Sequence, residues 1–361
     1  MRVLLTHDPE DLEAYYGRAL PELESLAEVV RNPTGRDLGT AQLIEAAAGC
    51  DVIVAHRSTP GERAVFAELP DLVAFLRTAV DISTIDVEAA SEHGVLVARA
   101  DTSYVPSTAE LALGLMIAAA RHIGESTCDY HAGREPPQRT GHQLAGKTAG
   151  IIGYGAIGSY LAPILDALGM SVLVHDPLVT VVDERIEQVD LAELLGRSDV
   201  VLPLAAAVER TENLVDAEAL ATMKAGAFLV NVSRGELLDE AAVADALDSG
   251  RLGGLAMDVG RAPDQRPRPE LAGQPGVVAT PHLGGLTPEN ADAQARSSVE
   301  QVRAILDHVM PPRSVNPDRA TRLRAFWARG FVAAQMRRPP DPRRTPRTSI
   351  RPHHPTPPTR A

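Results

Sequence analysis

Cysteine is nearly absent: Cys50 and Cys128 are the two in 361 residues, far apart and in no paired motif. That excludes a disulfide framework and a cysteine-rich zinc site, leaves no metal site to expect, and fits a reducing cytosol. Aromatic residues are scarce at 3%, so any core must be built from Ala, Val, Leu and Ile. No stretch approaches the roughly 18 uninterrupted apolar residues of a membrane helix. The longest candidate, Leu111 to Ala120, reads as a buried helix. The apolar start of the chain is too short for a signal peptide and is interrupted by Asp8. A soluble cytoplasmic protein with no membrane partner is expected.

Positive charge is scarce as well, but unevenly so. The net charge is -13, yet from Arg337 onward there are seven Arg, eight Pro and a single acid, Asp341. An acidic body is a poor partner for nucleic acid phosphates. The basic, Pro-rich end cannot bury a core, and a disordered extension over 319–361 is expected.

What is present is enough for two cores, since 44% of the residues are apolar. Short apolar runs at Arg2–Thr6, Asp51–Ala55 and Leu72–Leu76 read as buried strands, with helical patterns at Asp11–Ala27, Thr40–Ala48 and Ala64–Leu69 between them. A long apolar helix is expected at Ser107–His122, opened by a capping Ser or Thr and buried between domains or subunits. The alternation then restarts: strand Thr148–Ile152, helix Ala156–Leu168, strand Ser171–His175. Further strands are expected at Asp199–Leu202, Ala227–Asn231, Gly254–Asp258 and Val277–Thr280, with a helix at Asp239–Ser249. Strands alternating with helices signal βαβ units and parallel sheets.

Between the strand ending at Ile152 and the helix opening at Ala156 lies Gly153-x-Gly155-x-x-Gly158. A glycine triplet alone is weak evidence; a strand before it and a helix after it make it specific. The first Gly permits the tight turn, the second lets backbone approach a pyrophosphate, and the third lets helix and strand pack closely. Ala156 and Ile157 complete the loop, and the pyrophosphate would sit on the free N–H groups of the helix start. Asp176 ends the next strand, 18 residues after Gly158. A carboxylate there accepts from ribose hydroxyls and repels a 2′-phosphate, so NAD is expected rather than NADP.

Three later segments carry polar groups at strand ends: Asn231-Val232-Ser233-Arg234-Gly235, Ala256-Met257-Asp258-Val259 and Thr280-Pro281-His282-Leu283-Gly284-Gly285. In open α/β sheets ligands lie at the carboxyl ends of strands. The guanidinium fork of Arg234 suits a carboxylate, and His282 suits proton transfer near neutral pH. Taken singly, each also reads as an ordinary residue, Arg234 as a surface ion-pair partner and His282 as a core histidine.

The order of these motifs, together with Asp176-Pro177, Ile85-Asp86-Val87-Glu88-Ala89-Ala90 and Thr108-Ala109-Glu110-Leu111, resembles the D-isomer-specific 2-hydroxy-acid dehydrogenase family over most of residues 1–320. That family includes phosphoglycerate, glycerate and D-lactate dehydrogenases. The resemblance implies an α/β fold of two Rossmann-like parallel-sheet domains, one flavodoxin-like and one NAD-binding, with a cleft between. The substrate domain would span 1–104 plus 288–318, and the NAD domain 105–287. It implies hydride transfer between NAD and a small D-2-hydroxy acid or 2-oxo acid, in a homodimer joined through the long helix. By position, Arg234 would grip the substrate and His282 would be the acid/base. Val232, Ser233, Asp258 and Gly285 would line the cofactor, with Asp258 beside the nicotinamide. Ala79, Val80 and Asp81 would hold the substrate carboxylate on their N–H groups, and Arg57 would lie near it.

Two positions depart from the family pattern. Relatives carry a glutamate five residues after Asp258, where this chain has Pro263; Asp264, one residue on, is the expected substitute partner for His282. Asp81 stands where the loop ordinarily has glycine, so it either points outward or marks an unusual substrate. Arg261, also atypical, is a possible counter-charge. Two alternative functions stay open: an NADP-linked relative, and an NAD-sensing scaffold of the corepressor kind with little catalysis.

Overall fold

The computed structural model describes residues 1–336, with side chains to Arg329. Strands β1 (Arg2–Leu5), β2 (Glu28–Arg31), β3 (Val52–Ala55), β4 (Ala74–Arg77) and β5 (Leu96–Ala98) form one sheet in the order β2-β1-β3-β4-β5. Strands β6 (Thr148–Ile152), β7 (Ser171–His175), β8 (Ile186–Gln188), β9 (Val200–Pro203), β10 (Ala227–Asn231), β11 (Leu252–Met257) and β12 (Val277–Ala279) form the second, in the order β12-β11-β10-β9-β6-β7-β8. Every pairing in both is parallel. The five-strand order is flavodoxin-like and the seven-strand order is that of a dinucleotide-binding fold.

Parallel strands are covered on both faces and so read as unbroken apolar runs. The Val-Ile-Val-Ala of β3 and the Ala-Phe-Leu-Arg of β4 are buried at every position. The long helix, Val105–Ala120, lies on one face of the larger sheet; Ala109, Ala112, Leu115 and Met116 pack with Ile151, Val200 and Val230. It starts two residues before the sequence suggests because Pro106 suits a first helical turn. Ser107 is inside the helix rather than capping it, and its Oγ meets Thr287 Oγ1 at 2.9 Å.

The chain returns to the small sheet through helix Pro288–Leu306, whose Ala295, Val299, Val302 and Ile305 pack with Leu5, Val54 and Leu76. The two crossings between the sheets are laced together. Buried Asn290 accepts from Ser103 Oγ (2.7 Å) and donates to the Gly285 carbonyl (2.7 Å).

Two expectations are corrected. The helix expected at Asp11–Ala27 breaks into a π turn, Leu12–Tyr16, and a helix, Leu20–Leu26. Pro21 cannot sit in a helix interior but suits a first turn, so the second helix starts afresh there. The break buries Tyr16, whose hydroxyl lies 2.7 Å from Ser298 Oγ. Structure also does not stop at residue 319. Helix Thr321–Met336 follows, Leu323 is fully buried against the small-sheet core, and Trp327 Nε1 donates to the Ile305 carbonyl at 2.7 Å. The disordered extension expected from the basic composition falls, for 337–361, outside the described residues.

The Leu323 contact is testable. Leu323→Ala should cost roughly 2–5 kcal/mol of unfolding free energy, as deletion of a buried leucine does. Denaturant unfolding would check this, and a loss under about 0.5 kcal/mol, typical of a surface change, would mean that this helix is not docked.

Candidate active site

In the larger sheet the chain leaves β6 toward β7 on one side and continues to β9 on the other, so a crevice opens at their carboxyl ends. The glycine loop fills its floor. Gly153 has φ +101°, and a Cβ there would lie 2.6 Å from Ala205 N; a Cβ on Gly158 would lie 2.4 Å from the Gly153 carbonyl oxygen. Neither position admits a side chain. Gly155, by contrast, has nothing within 4 Å of where its Cβ would be. It precedes the twelve-residue helix Ala156–Ala167, with Ala156 exposed and Ile157 half-buried at the first turn. Two glycines are thus demanded by the protein's own packing, while the third opens space over a helix N-terminus. That is the cradle an anionic pyrophosphate fits.

Asp176, at the end of β7, accepts from Tyr154 N and Leu178 N (2.8 Å each) and Val179 N (3.2 Å). Burial alone would raise its pKa, but these three N–H donors outweigh it and hold the carboxyl below its usual range. The Tyr154 bond ties the glycine loop to the residue expected to read the ribose.

The Asn231–Gly235 turn is stapled by a fully buried side chain. Asn231 Nδ2 donates to the Arg234 carbonyl at 2.8 Å, and its Oδ1 accepts from Ser233 N at 3.1 Å. Ser233 Oγ donates to the Ala205 carbonyl at 3.0 Å, joining this turn to the loop after β9, and Val232 is buried beneath. Gly235 packs so closely on Gly260 that a Cβ would lie 2.2 Å from its carbonyl carbon. Arg234 is half-buried, with one guanidinium N–H on the Ser233 carbonyl (2.8 Å).

Asp258 is fully buried, and its carboxylate grips the next loop. It accepts from Thr280 Oγ1 and Leu283 N (2.6 Å each) and from Gly284 N (2.8 Å). Its carbonyl accepts from His282 N at 2.9 Å. His282 is thereby held at φ +63°, an uncommon backbone conformation for a non-glycine residue. The carboxylate expected beside the nicotinamide is therefore engaged in fixing the His282 loop. Thr280 had no assigned role in the sequence, since nothing in a Thr-Pro-His triplet announces a carboxylate partner. Gly285 lies at the crossing between sheets, under Asn290.

Burial lowers the pKa of His282; the Asp258 charge opposes this, Arg234 and Arg57 add to it, and a hydrogen bond to the Asp264 backbone opposes it. That last contact corrects the expectation for Asp264. Its carboxylate is exposed and turned onto Arg266, with Arg266 N at 3.2 Å and Arg266 Nε at 3.4 Å. The reason is local: Ala262–Gln265 forms a tight turn, closed by Gln265 N on the Ala262 carbonyl at 2.7 Å and with Gln265 at φ +61°. Pro263 rides on that turn, and the main chain of Asp264, not its carboxylate, faces the histidine. Arg261 is no counter-charge for Asp81 either; it binds Glu212, Asn213 and the Glu236 and Leu238 carbonyls.

The small sheet contributes its own carboxyl ends. After β4, the N–H groups of Ala79, Val80 and Asp81 donate to no other described residue. Asp81 is exposed, and its carboxylate is turned back along its own loop onto Ser83 N at 2.8 Å. Burial would raise its pKa, but the Ser83 donors, then Arg234 and Arg77, hold it below the usual range. After β3 come half-buried His56 and exposed Arg57. Burial and nearby cations depress His56 to about 4, with Asp37 opposing, and His7, at the end of β1, to about 3. Asp11 lies 3.5 Å from His56 Nε2 and is raised to about 6 by burial and by the carboxylates of Asp8, Asp37 and Glu10.

Two parallel sheets with a dinucleotide cradle at one carboxyl edge, and an Arg and a His at the ends of β10 and β12 on either side of β11, define a nucleotide-dependent oxidoreductase. Residues 113–284 match the family model described as D-isomer specific 2-hydroxyacid dehydrogenase, NAD binding domain. The chain is 34% identical over 275 residues to a hydroxypyruvate reductase of Thermotoga maritima, covering 75% of this chain and 89% of that one. It is 35% identical to an (S)-sulfolactate dehydrogenase of Chromohalobacter salexigens, covering 80% and 94%. With a D-3-phosphoglycerate dehydrogenase of Mycobacterium leprae it shares 35% identity over 77% of its length but spans 53% of that protein. Among solved structures it resembles a Thermus thermophilus protein (TM-score 0.77, 30% identity, 87% of this chain and 100% of that one). It also resembles the D-lactate dehydrogenase of Escherichia coli (TM-score 0.75, 26% identity, 87% and 100%). The chain belongs to the D-isomer specific 2-hydroxyacid dehydrogenase family and is an NAD-binding oxidoreductase.

The glycine geometry separates two substitutions. Gly158→Ala should lower thermal stability, because the methyl meets main chain. Gly155→Ala should leave stability nearly unchanged and weaken NADH binding, read by fluorescence titration. Equal effects of the two on both measurements would contradict the cradle.

Proposed function

We propose that the chain catalyses reversible NAD-dependent oxidation of a small D-2-hydroxy acid to its 2-oxo acid. The observation that carries this reading is the placement of Arg234 and the rigidly held His282 on the loops after β10 and β12, on either side of β11 and at the same carboxyl edge as the glycine cradle. When bound, NAD accepts or supplies the hydride. The protein's own part is orientation and charge. Arg234 offers its free guanidinium N–H groups to the carboxylate and carbonyl of the acid. His282, neutral, takes the hydroxyl proton in the oxidative direction; protonated, it returns the proton to the carbonyl oxygen. The unused N–H groups of Ala79, Val80 and Asp81 receive the substrate carboxylate from the opposite side, and Arg57 adds positive potential. Asp176 accepts from the adenosine ribose and excludes a 2′-phosphate.

The supporting architecture belongs to the same reading. Residues 1–104 with 288–318 form the substrate domain, extended by helix Thr321–Met336, and 105–287 form the NAD domain. Leu111, Gly114, Ile117 and Ala118 lie on the side of helix Val105–Ala120 away from its buried residues and are half-buried or exposed; we assign them to a homodimer contact. Free Cys50 and Cys128 fit a cytoplasmic enzyme.

The deciding experiment follows NADH absorbance against a panel of 2-oxo acids. Turnover of at least one is expected; tight NADH binding without turnover of any would instead favour an NAD-sensing role. His282→Ala should cost roughly 10²–10⁴-fold in rate. For the reduction, kcat/KM should fall as pH rises through a value below 6.5, since the donor must be protonated and its pKa is lowered. Asp264→Asn should leave that limb in place because its carboxylate lies on Arg266. Arg57→Gln should move the limb upward by removing a cation that depresses His282. A downward shift in Asp264→Asn would restore that carboxylate as the histidine's partner.

A further inference from the structure

Arg77, the last residue of β4, is the largest of the fully buried side chains and takes no part in the chemistry proposed above. Its guanidinium donates to the main-chain carbonyl of His56, to the Thr59 carbonyl at 2.8 Å and to Thr84 Oγ1 at 2.9 Å. All three partners are uncharged, its Nε is buried without a partner, and its Cζ lies 5.8 Å from the Phe75 ring centroid. A buried cation ordinarily requires an opposing charge or full hydrogen bonding. Here the hydrogen bonding is incomplete and no carboxylate is bonded to it; the Asp81 charge, turned onto Ser83, acts on it only without contact.

Its location supplies the reason. The carbonyls of His56 and Thr59 flank Arg57, and Thr84 ends the loop that starts with Ala79, Val80 and Asp81. One side chain therefore sets the spacing between the loop that carries Arg57 and the loop with three unused N–H groups. Its charge also reaches the surroundings: Arg77 is among the cations that hold His7 and His56 neutral and is itself lowered to about 10 by burial. A permanent positive charge that is bonded to no carboxylate, tied to the loop that carries three unused N–H groups, favours an anion there.

We propose that Arg77 is a positioning residue for the substrate carboxylate: it fixes the two loops of the small sheet relative to each other and supplies the buried positive potential the carboxylate neutralises. This rests on the reading that Ala79–Asp81 holds that carboxylate.

The test uses the full chain saturated with NADH and oxamate, an unreactive 2-oxo acid mimic. Arg77→Met should raise the oxamate Kd and the KM for the 2-oxo acid by about 10- to 100-fold, the range expected for losing a charge near the ligand. The Kd for NADH should be unchanged, and kcat should fall much less than KM rises. Arg77→Lys, which keeps charge but loses the fork, should fall between. A folded Arg77→Met that binds oxamate within twofold of the wild type overturns the inference. Should Arg77→Met fail to fold, Arg77→Lys and Thr84→Val decide: a Kd raised severalfold in both supports it, and a Kd within twofold in both overturns it. Arg234→Met separates the two levels of argument. If it and Arg77→Met both bind oxamate normally, the site itself is misplaced; if Arg77→Met alone does, the role of Arg77 is the part that fails.

Discussion

A fully buried carboxylate with no cation bonded to it holds the chemistry of this protein in place. Asp258 would be costly in the interior if its oxygens were left bare; instead they take two backbone N–H groups and a threonine hydroxyl from a single loop. Hydrogen bonds to a charged group contribute roughly 1.5–3 kcal/mol each, enough to keep His282 in a backbone conformation that few non-glycine residues adopt. The strain and the clamp explain each other. A histidine that must deliver a proton in a fixed direction is better held by main-chain geometry than by a flexible side-chain contact.

The two sheets divide the remaining work. The larger one presents main-chain donors at a helix start and, on the proposed reading, a carboxylate for a ribose and the Arg and His of the reaction. The smaller one presents the positive charge of exposed Arg57 and buried Arg77, beside two histidines pushed well below their usual range and therefore neutral. On that reading both sheets bind anions, the larger through the glycine loop and Arg234 and the smaller through the Ala79–Asp81 N–H groups, while His282 carries the proton. Asp81 turns its carboxylate onto Ser83 rather than leaving it free in that loop.

How much of this the sequence displays depends on whether a residue's surroundings are local. Central strands such as Thr148–Ile152 and Ala227–Asn231 were legible to the residue, since parallel strands buried on both faces form unbroken apolar runs. Three of the four edge strands, Glu28–Arg31, Leu96–Ala98 and Ile186–Gln188, were not. They are three or four residues long; exposed positions interrupt Glu28–Arg31 and Ile186–Gln188, while Leu96–Ala98, buried throughout, is too short to stand out. The glycine loop was legible because its three glycines stand at a fixed spacing within one strand-turn-helix unit, although the contact that excludes a side chain at Gly153 comes from Ala205, outside it. Arg77 and Thr280 were not, because their partners lie in other loops; nor was the role of Asn231, whose partners are main-chain groups of its own turn that leave no mark in a sequence. Leu323 was missed for a different reason: a basic, Pro-rich composition beyond residue 337 obscured an ordinary amphipathic helix just before it.

Pro263 carries the same lesson into the mechanism. A carboxylate near the histidine would stabilise its charged form, so loss of the family's glutamate suggested that the neighbouring Asp264 had taken over. Position in sequence, however, does not determine which atom faces the site. The turn at Ala262–Gln265 presents the Asp264 main chain to His282 and sends its carboxylate to solvent. A main-chain group near the ring brings no full negative charge, so it gives the protonated imidazole less support than a carboxylate would. Burial and two arginines then lower the histidine's pKa, opposed by the charge of Asp258. The substitution leaves the proton-transfer group in place and oriented, and changes the pH at which it is charged.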